Sequence, residues 1–376
     1  VDGYLFKQGG PVIGIQLENE CRGPWPYMMA LKNLAIKCGF DVPFYTRTGW
    51  PQMKGRVDFG EILPLFGDYA DGFWCRSLTE VSPGDHKKAF KFSDVRVSAN
   101  IATEQLPQSH TDDKATAQYP FFTCELGGGM ASSYHRRIRV TPLDTYAMAL
   151  VKLGCGSNLL GYYMYAGGTN PNRPAEGVFF NECQASDYTN HNDLPPFSYE
   201  FQAPISEFGE TTGAWALLKN LHKFCANFAA DFALEEPEII SETDAVRGPF
   251  CFHNSWVRGS TNIAERTSIP RIFPRNWKTR LGTIKSATAQ PVEWDGDTLV
   301  MMKVPGFEPK VEFDGECFAK RYIDFPATTD SFPYVAGNYL DVEPVFRQIK
   351  EAGPARTVTL PRSNGVAMQP SEKDWE

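Results

Sequence analysis

Apolar and polar positions fall into two textures along the chain. Through roughly the first 235 residues, short continuous apolar runs alternate with segments whose apolar positions repeat at helical spacing. Val12 to Leu17 is the first run. A helix is predicted from Trp25 to Cys38, with Met28, Met29, Leu31, Leu34, Ala35 and Ile36 on its buried side and Gly39 as its stop. Further strands are predicted at Val42–Thr46, Gly72–Cys75, Pro120–Cys124 and Leu159–Tyr165, and further helices from Pro142 to Leu153 and from Gly213 to Leu234. Near-continuously apolar strands separated by helices indicate a parallel sheet covered on both faces, an α/β protein of barrel type or doubly wound.

The stretch from Gly168 to Pro204, rich in Asn, Pro and Asp, is too long for a plain connection and is expected to cover a site. After Glu235-Glu236-Pro237 the pattern changes to short β-like runs such as Phe250–His253 and Thr298–Val304, which indicates a β domain of sandwich type. Three regions are therefore expected: 1–235, mixed strand and helix; 236–320, the β domain; and 321–376, a linker and the start of a further domain.

Composition narrows the partners. A formal net charge of −8 argues against nucleic acid or an anionic membrane as a ligand. No apolar run approaches the ~18 residues needed to span a bilayer. The nine cysteines are odd in number, scattered, and without zinc-type pairing, so buried free thiols are expected and no metal site. The chain begins Val1-Asp2-Gly3 and reads as the interior of a longer protein, which leaves the compartment undetermined.

Two acids stand at predicted strand ends, Glu20 after the first and Glu125 after the fourth. A lone acid there is more commonly solvated or a helix cap. In a parallel barrel, however, all strand C-termini share one rim, and two carboxyls about 5–5.5 Å apart are what retaining glycoside hydrolysis requires.

At these same positions "GGPVIGIQLENE" (Gly9–Glu20) resembles the acid/base signature of glycoside hydrolase family 35, the β-galactosidase family. "PFFTCELGGGM" (Pro120–Met130) resembles the nucleophile strand of a bacterial branch of that family. "YYMYAGGTNP" (Tyr162–Pro171) resembles its last barrel strand, and "SYEFQAPISEFGE" (Ser198–Glu210) the segment leading to its last helix. "SATAQPVEW" (Ser286–Trp294) is similar more weakly. The resemblance implies a (β/α)8 TIM barrel followed by the β domain, and a retaining exo-β-galactosidase that works without metal or organic cofactor on terminal β-linked galactose.

It also implies roles. Glu20 is the general acid/base, Glu125 the nucleophile and Asn19 the partner of the sugar 2-hydroxyl. Glu18 is expected to be a buried supporting carboxylate, and Tyr199 to orient Glu125. Tyr165 or Tyr163, with Trp50 and Trp74, are candidate sugar contacts. Phe201 and Ala166 depart from the Tyr and His that many relatives carry, and Phe201 cannot donate a hydrogen bond. The family places three β/α units ahead of the acid/base strand. Their absence implies an incomplete barrel, from about the fourth strand onward, with open edges.

Two alternatives remain open: another exo-β-glycosidase, such as an exo-β-glucosaminidase, and a non-catalytic carbohydrate-binding protein on the same scaffold. A nucleotide-binding reading is weak, because Gly127-Gly128-Gly129 lacks a phosphate-binding fingerprint. Those glycines are expected to turn the backbone sharply beside the nucleophile.

Overall fold

The computed structural model describes residues 1–21, 23–47, 58–69, 89–94, 96, 118–131, 140–170, 172–173, 177–178, 195, 197–255, 268–315, 317–327, 360–361 and 367–368. Five parallel strands form one sheet whose spatial order is their chain order: β1 (Ile15–Asn19), β2 (Phe44–Arg47), β3 (Leu63–Asp68), β4 (Phe122–Gly127) and β5 (Leu159–Tyr163). A doubly wound sheet reverses strand order at a switch point, and none occurs among the described residues. Among the described residues the sheet does not close on itself: β1 pairs with β2 and β5 with β4.

Helix α1 (Trp25–Lys37) connects β1 to β2 and ends at Gly39, whose φ of 90° is the left-handed stop expected from the sequence. Leu17 of β1 meets Trp25 and Met28 of α1 together with Phe44, Ile62 and Tyr119, which fixes that face of the sheet against the helix. Helix α2 (Pro142–Gly154) connects β4 to β5. Thr141 and Asp144 cap it reciprocally: Asp144 N–H donates to Thr141 O at 2.9 Å, and Thr141 N–H and Oγ1–H donate to Asp144 Oδ2 at 3.0 and 2.6 Å. All of its residues are buried, the mark of an element enclosed on every side.

Two boundaries differ from expectation. The third strand of the sheet is Leu63–Asp68, whereas Gly72–Cys75 lies outside the described residues. Pro64 and Gly67 interrupt this strand, and both residues normally argue against a central strand, so the pattern hid it. β4 runs on to Gly127, so Glu125 lies within the strand rather than after it. The region after β5 contains short ribbons: β6 (Gly168–Thr169) pairs with β9 (Ser198–Tyr199), and β7 (Asn172–Arg173) with β8 (Gly177–Val178).

Helix α3 (Gly213–Phe228) then packs beside α2 and against a β region. There β10 (Glu238–Ser241), β11 (Asp244–Arg247), β12 (Phe250–His253), β13 (Arg271–Thr279), β14 (Gly282–Ala287) and β17 (Val311–Asp314) make an antiparallel sheet. The strands β15 (Gln290–Asp295), β16 (Thr298–Met302) and β18 (Lys320–Ile323) make a second, mixed sheet.

One apolar core joins the two parts. Phe224 lies edge-on to Phe250 with ring centroids 4.9 Å apart, and Phe228 edge-on to Trp277 at 4.9 Å. Burial of each such ring contributes about 1.5–3 kcal/mol. Arg247, 2% exposed, binds Leu153 O and Ser157 O at 3.1 Å, Ala233 O at 3.1 Å, Glu235 O at 3.2 Å and Asn158 Oδ1, so its fork satisfies carbonyls at the end of α2. The β region thereby buttresses the helix behind β4 and β5. Of the seven cysteines described, Cys155 is buried, Cys38 and Cys317 are exposed and the others are half-buried, so the expectation of buried thiols holds for Cys155 alone.

Candidate active site

The carboxyl ends of the five parallel strands lie along one rim, and both candidate acids sit on it. Glu125 sits at a slip in strand register, and Glu20 directly follows one. β1 shifts against β2 between Gln16 and Asn19, and β4 shifts against both neighbours around Cys124 and Glu125. Bulges of this kind re-aim side chains beside active sites. At the end of β1 the backbone turns left-handed at Glu18 (φ 57°) and again at Glu20 (φ 52°), a conformation that non-glycine residues rarely hold. Gln16 Nε2 braces this end, donating to Glu18 O at 2.9 Å and to Asn19 Oδ1 at 3.1 Å.

On β4, the Tyr69 hydroxyl donates to Glu125 Oε2 at 3.1 Å. Tyr69 follows β3 directly and is 3% exposed. Its ring opens an aromatic wall: Tyr69 is edge-on to Tyr163 at 6.3 Å, and Tyr163 is edge-on to Tyr199 at 6.2 Å and to Phe201 at 5.3 Å. The Tyr163 and Tyr199 hydroxyls hydrogen-bond to each other.

The glycines after Glu125 let this wall assemble. A Cβ on Gly128 would sit 2.3 Å from Met164 O, and one on Gly129 1.9 Å from Phe201 O. Their role is close approach of three chain segments rather than the sharp turn expected, because none of the three adopts a left-handed φ. Gln202 pins the Phe201 segment, donating from Nε2 to Met130 O at 2.9 Å and accepting from Val140 N–H at 3.1 Å.

Beneath Tyr69, the Asp68 carboxylate pairs with Lys152 of α2, both nearly buried. Burial pulls the Lys152 ammonium down, but the Asp68 carboxylate, with a smaller contribution from Cys155, more than offsets this, and the Lys152 pKa ends above its ordinary value. This pair ties the end of β3, and with it Tyr69, to the helix behind the sheet.

Residues 1–225 match the model of glycosyl hydrolases family 35. The chain belongs to that family. Among its relatives, Beta-galactosidase 10 of Arabidopsis thaliana is 25% identical over 226 residues, which are 57% of this chain and 22% of that protein. The beta-galactosidases of Homo sapiens and Pongo abelii are 27% and 26% identical over 220 and 224 residues, 58% of this chain and 27% of each relative. The match thus spans about a quarter of the length of these relatives.

Within this family 35 chain the expected site residues separate. Glu20 is half-buried at the rim, Asn19 is exposed beside it and Glu125 is half-buried on β4. Glu18, expected to be buried, is exposed and accepts a hydrogen bond from the Tyr27 hydroxyl, because the left-handed step at Glu18 turns its side chain out of the sheet's packing. Tyr199 joins the aromatic wall. Tyr165 packs 5.5 Å from the Tyr162 ring and 5.9 Å from the His222 ring on α3, whereas Tyr163 packs against Tyr69, the residue bonded to Glu125. Trp50 and Trp74 lie outside the described residues. Phe201 packs in the wall, and the Tyr69 hydroxyl hydrogen-bonds to Glu125. Sequence reasoning missed Tyr69, because the strand it follows, β3, was itself unrecognised.

Proposed function

We propose that this family 35 chain carries the catalytic glutamates of a retaining exo-β-galactosidase acting on terminal β-linked galactose. Glu125 attacks the anomeric carbon as a carboxylate while Glu20 protonates the departing oxygen. Glu20 then takes a proton from water as the galactosyl-enzyme ester is hydrolysed. Asn19 contacts the sugar 2-hydroxyl, and Tyr69 holds one oxygen of Glu125 so that the other faces the sugar.

The observation that carries this reading is Glu125 on β4 with the Tyr69 hydroxyl on its Oε2, on the same strand-end rim as Glu20. The sequential parallel order of β1 to β5 suits the wall of a (β/α)8 barrel. Family membership and the beta-galactosidases among the relatives support the substrate class.

The test is hydrolysis of a nitrophenyl β-galactoside and of a β-galactosyl disaccharide by the natural protein bearing these residues. Glu125→Gln should abolish turnover of both. Glu20→Gln should spare the nitrophenyl substrate, whose leaving group needs little protonation, more than the disaccharide. Native rates in both variants would overturn the assignment, and full activity of the 376 residues alone would overturn the incomplete barrel.

A further inference from the structure

A cavity lies on the outer side of α3. Trp215, Lys219 and Lys223 recur at i, i+4 and i+8 and so form one stripe of the helix, while Leu217, Leu218 and Leu221 face the core. The mixed sheet of β15, β16 and β18 forms the opposite side, and the groove between them has a volume of about 470 Å³. That is within the range, roughly 300–1,000 Å³, of small-molecule sites.

Its lining has a definite chemistry. Val300 and Ile323 supply an apolar floor, and the indole of Trp215 a flat wall. Three cations line it, Lys219, Lys223 and Arg321, against one carboxylate, Glu293. Lys223 is taken up by Glu293 at 2.6 Å. Arg321 contacts Asp295 through Nη2 at 3.1 Å, which leaves other N–H donors of its fork open. The Lys219 ammonium lies 4.8 Å from the Trp215 ring centroid and has no carboxylate partner among the described residues. A locally positive groove on a chain of net charge −8 is a directed feature, because the overall field would otherwise repel anions.

We propose that this groove binds an acidic sugar unit of a polysaccharide, with its carboxylate or sulfate on Lys219 and Arg321 and its ring on Trp215. The choice of a carbohydrate rests on the glycosidase reading above. The anion and ring requirements rest on the lining alone. Such a site holds a charged polymer to the enzyme surface apart from the glutamate rim and raises the local concentration of chain ends.

Calorimetric titration of the Glu125→Gln protein separates binding from turnover. The probes are a sulfated β-galactan tetrasaccharide, a galacturonate trisaccharide, a neutral β-galactan tetrasaccharide and inorganic sulfate. At least one acidic oligosaccharide should bind, several-fold more weakly when salt is raised from about 0.05 to about 0.5 M. Whichever of the two binds identifies the anion as sulfate or carboxylate.

Lys219→Ala with Arg321→Ala should cost about tenfold in affinity, and Trp215→Phe should retain more binding than Trp215→Ala. Melting temperatures identify any variant that fails through misfolding, in which case Lys219→Glu, at an exposed position, serves in its place. Equal affinity for the neutral tetrasaccharide, equal affinity for inorganic sulfate, no binding of either acidic probe, or native affinity in the variants would each overturn the proposal. If Glu125→Gln hydrolyses galactosides normally while the groove still binds, the catalytic assignment fails and this one stands.

Discussion

Replacing Tyr69 by Phe removes one atom from the proposed site and leaves the ring that packs it. The ring stays edge-on to Tyr163, so the aromatic wall is kept. What is lost is the hydrogen bond to Glu125 Oε2 at 3.1 Å. A bond to a charged group contributes about 1.5–3 kcal/mol. Charge-assisted bonds from a hydroxyl to a carboxylate are typically shorter, about 2.5–2.7 Å, which puts this one in the lower half of that energy range. A loss of about 1.5–2 kcal/mol corresponds to roughly a 10- to 30-fold fall in kcat/KM. Burial of the ring predicts a change in folding stability within about 1 kcal/mol.

The assay is kcat/KM for galactosides of graded leaving-group quality, measured on the natural protein. A misdirected nucleophile slows the attack on every substrate, so the Tyr69→Phe deficit should be of similar size across the series. A defect in proton donation, as in Glu20→Gln, should deepen as the leaving group worsens. A merely structural role for Tyr69 would instead lower the melting temperature in step with activity. The reasoning is refuted if Tyr69→Phe stays within about threefold of native while Tyr199→Phe loses more. In that outcome Tyr199 orients Glu125, as the sequence resemblance implied.

Three further predictions test the scaffold behind the rim. Gly129→Ala places a methyl carbon 1.9 Å from Phe201 O, so the wall must shift; misplacement on that scale should cost about 100-fold in kcat/KM, and a native rate would show that the wall does not position Glu125. Arg247→Met strips donors from four backbone carbonyls and Asn158, and thermal or urea unfolding should register a loss on the order of 3–5 kcal/mol, only partly recovered by Arg247→Lys, because an ammonium cannot reproduce the planar fork. His222 Nε2 and the Tyr162 hydroxyl hydrogen-bond to each other at 2.8 Å, and burial lowers the His222 pKa while raising that of Tyr162 well above the ordinary value. The unfolded chain therefore takes up the His222 proton first, so stability should be greatest above about pH 6.5 and fall as pH drops below it; urea midpoints for His222→Gln should show a flatter acid side.

How much of this was legible in the sequence follows from what a linear pattern can encode. β1, β4 and β5 announce themselves through the short apolar runs that lead into or make them, although only Leu17 of β1 is buried and no residue of β5 is, and α2 because Thr141-Pro142 and Asp144 write its cap in adjacent letters. β3 was lost because Pro64 and Gly67 carry the local signature of a loop, and burial between β2 and β4 overrode it. Tyr69 was lost with it, since a tyrosine after an unrecognised strand has no address.

The backbone at the rim was illegible for a different reason. Between Glu18 and Glu20 stands Asn19, the residue type most tolerant of a left-handed φ, and local preference alone would put the left-handed turn there. The chain puts it on the two glutamates instead, at a slip of register that no single-strand pattern can display. A conformation that costs on the order of 1–3 kcal/mol at each glutamate persists only where surrounding structure holds it. Gln16, bonded to Glu18 O and Asn19 Oδ1, supplies part of that hold. The departure from local preference therefore falls on Glu20, the residue proposed to transfer the proton, which is where a site shaped for chemistry rather than for stability would place it.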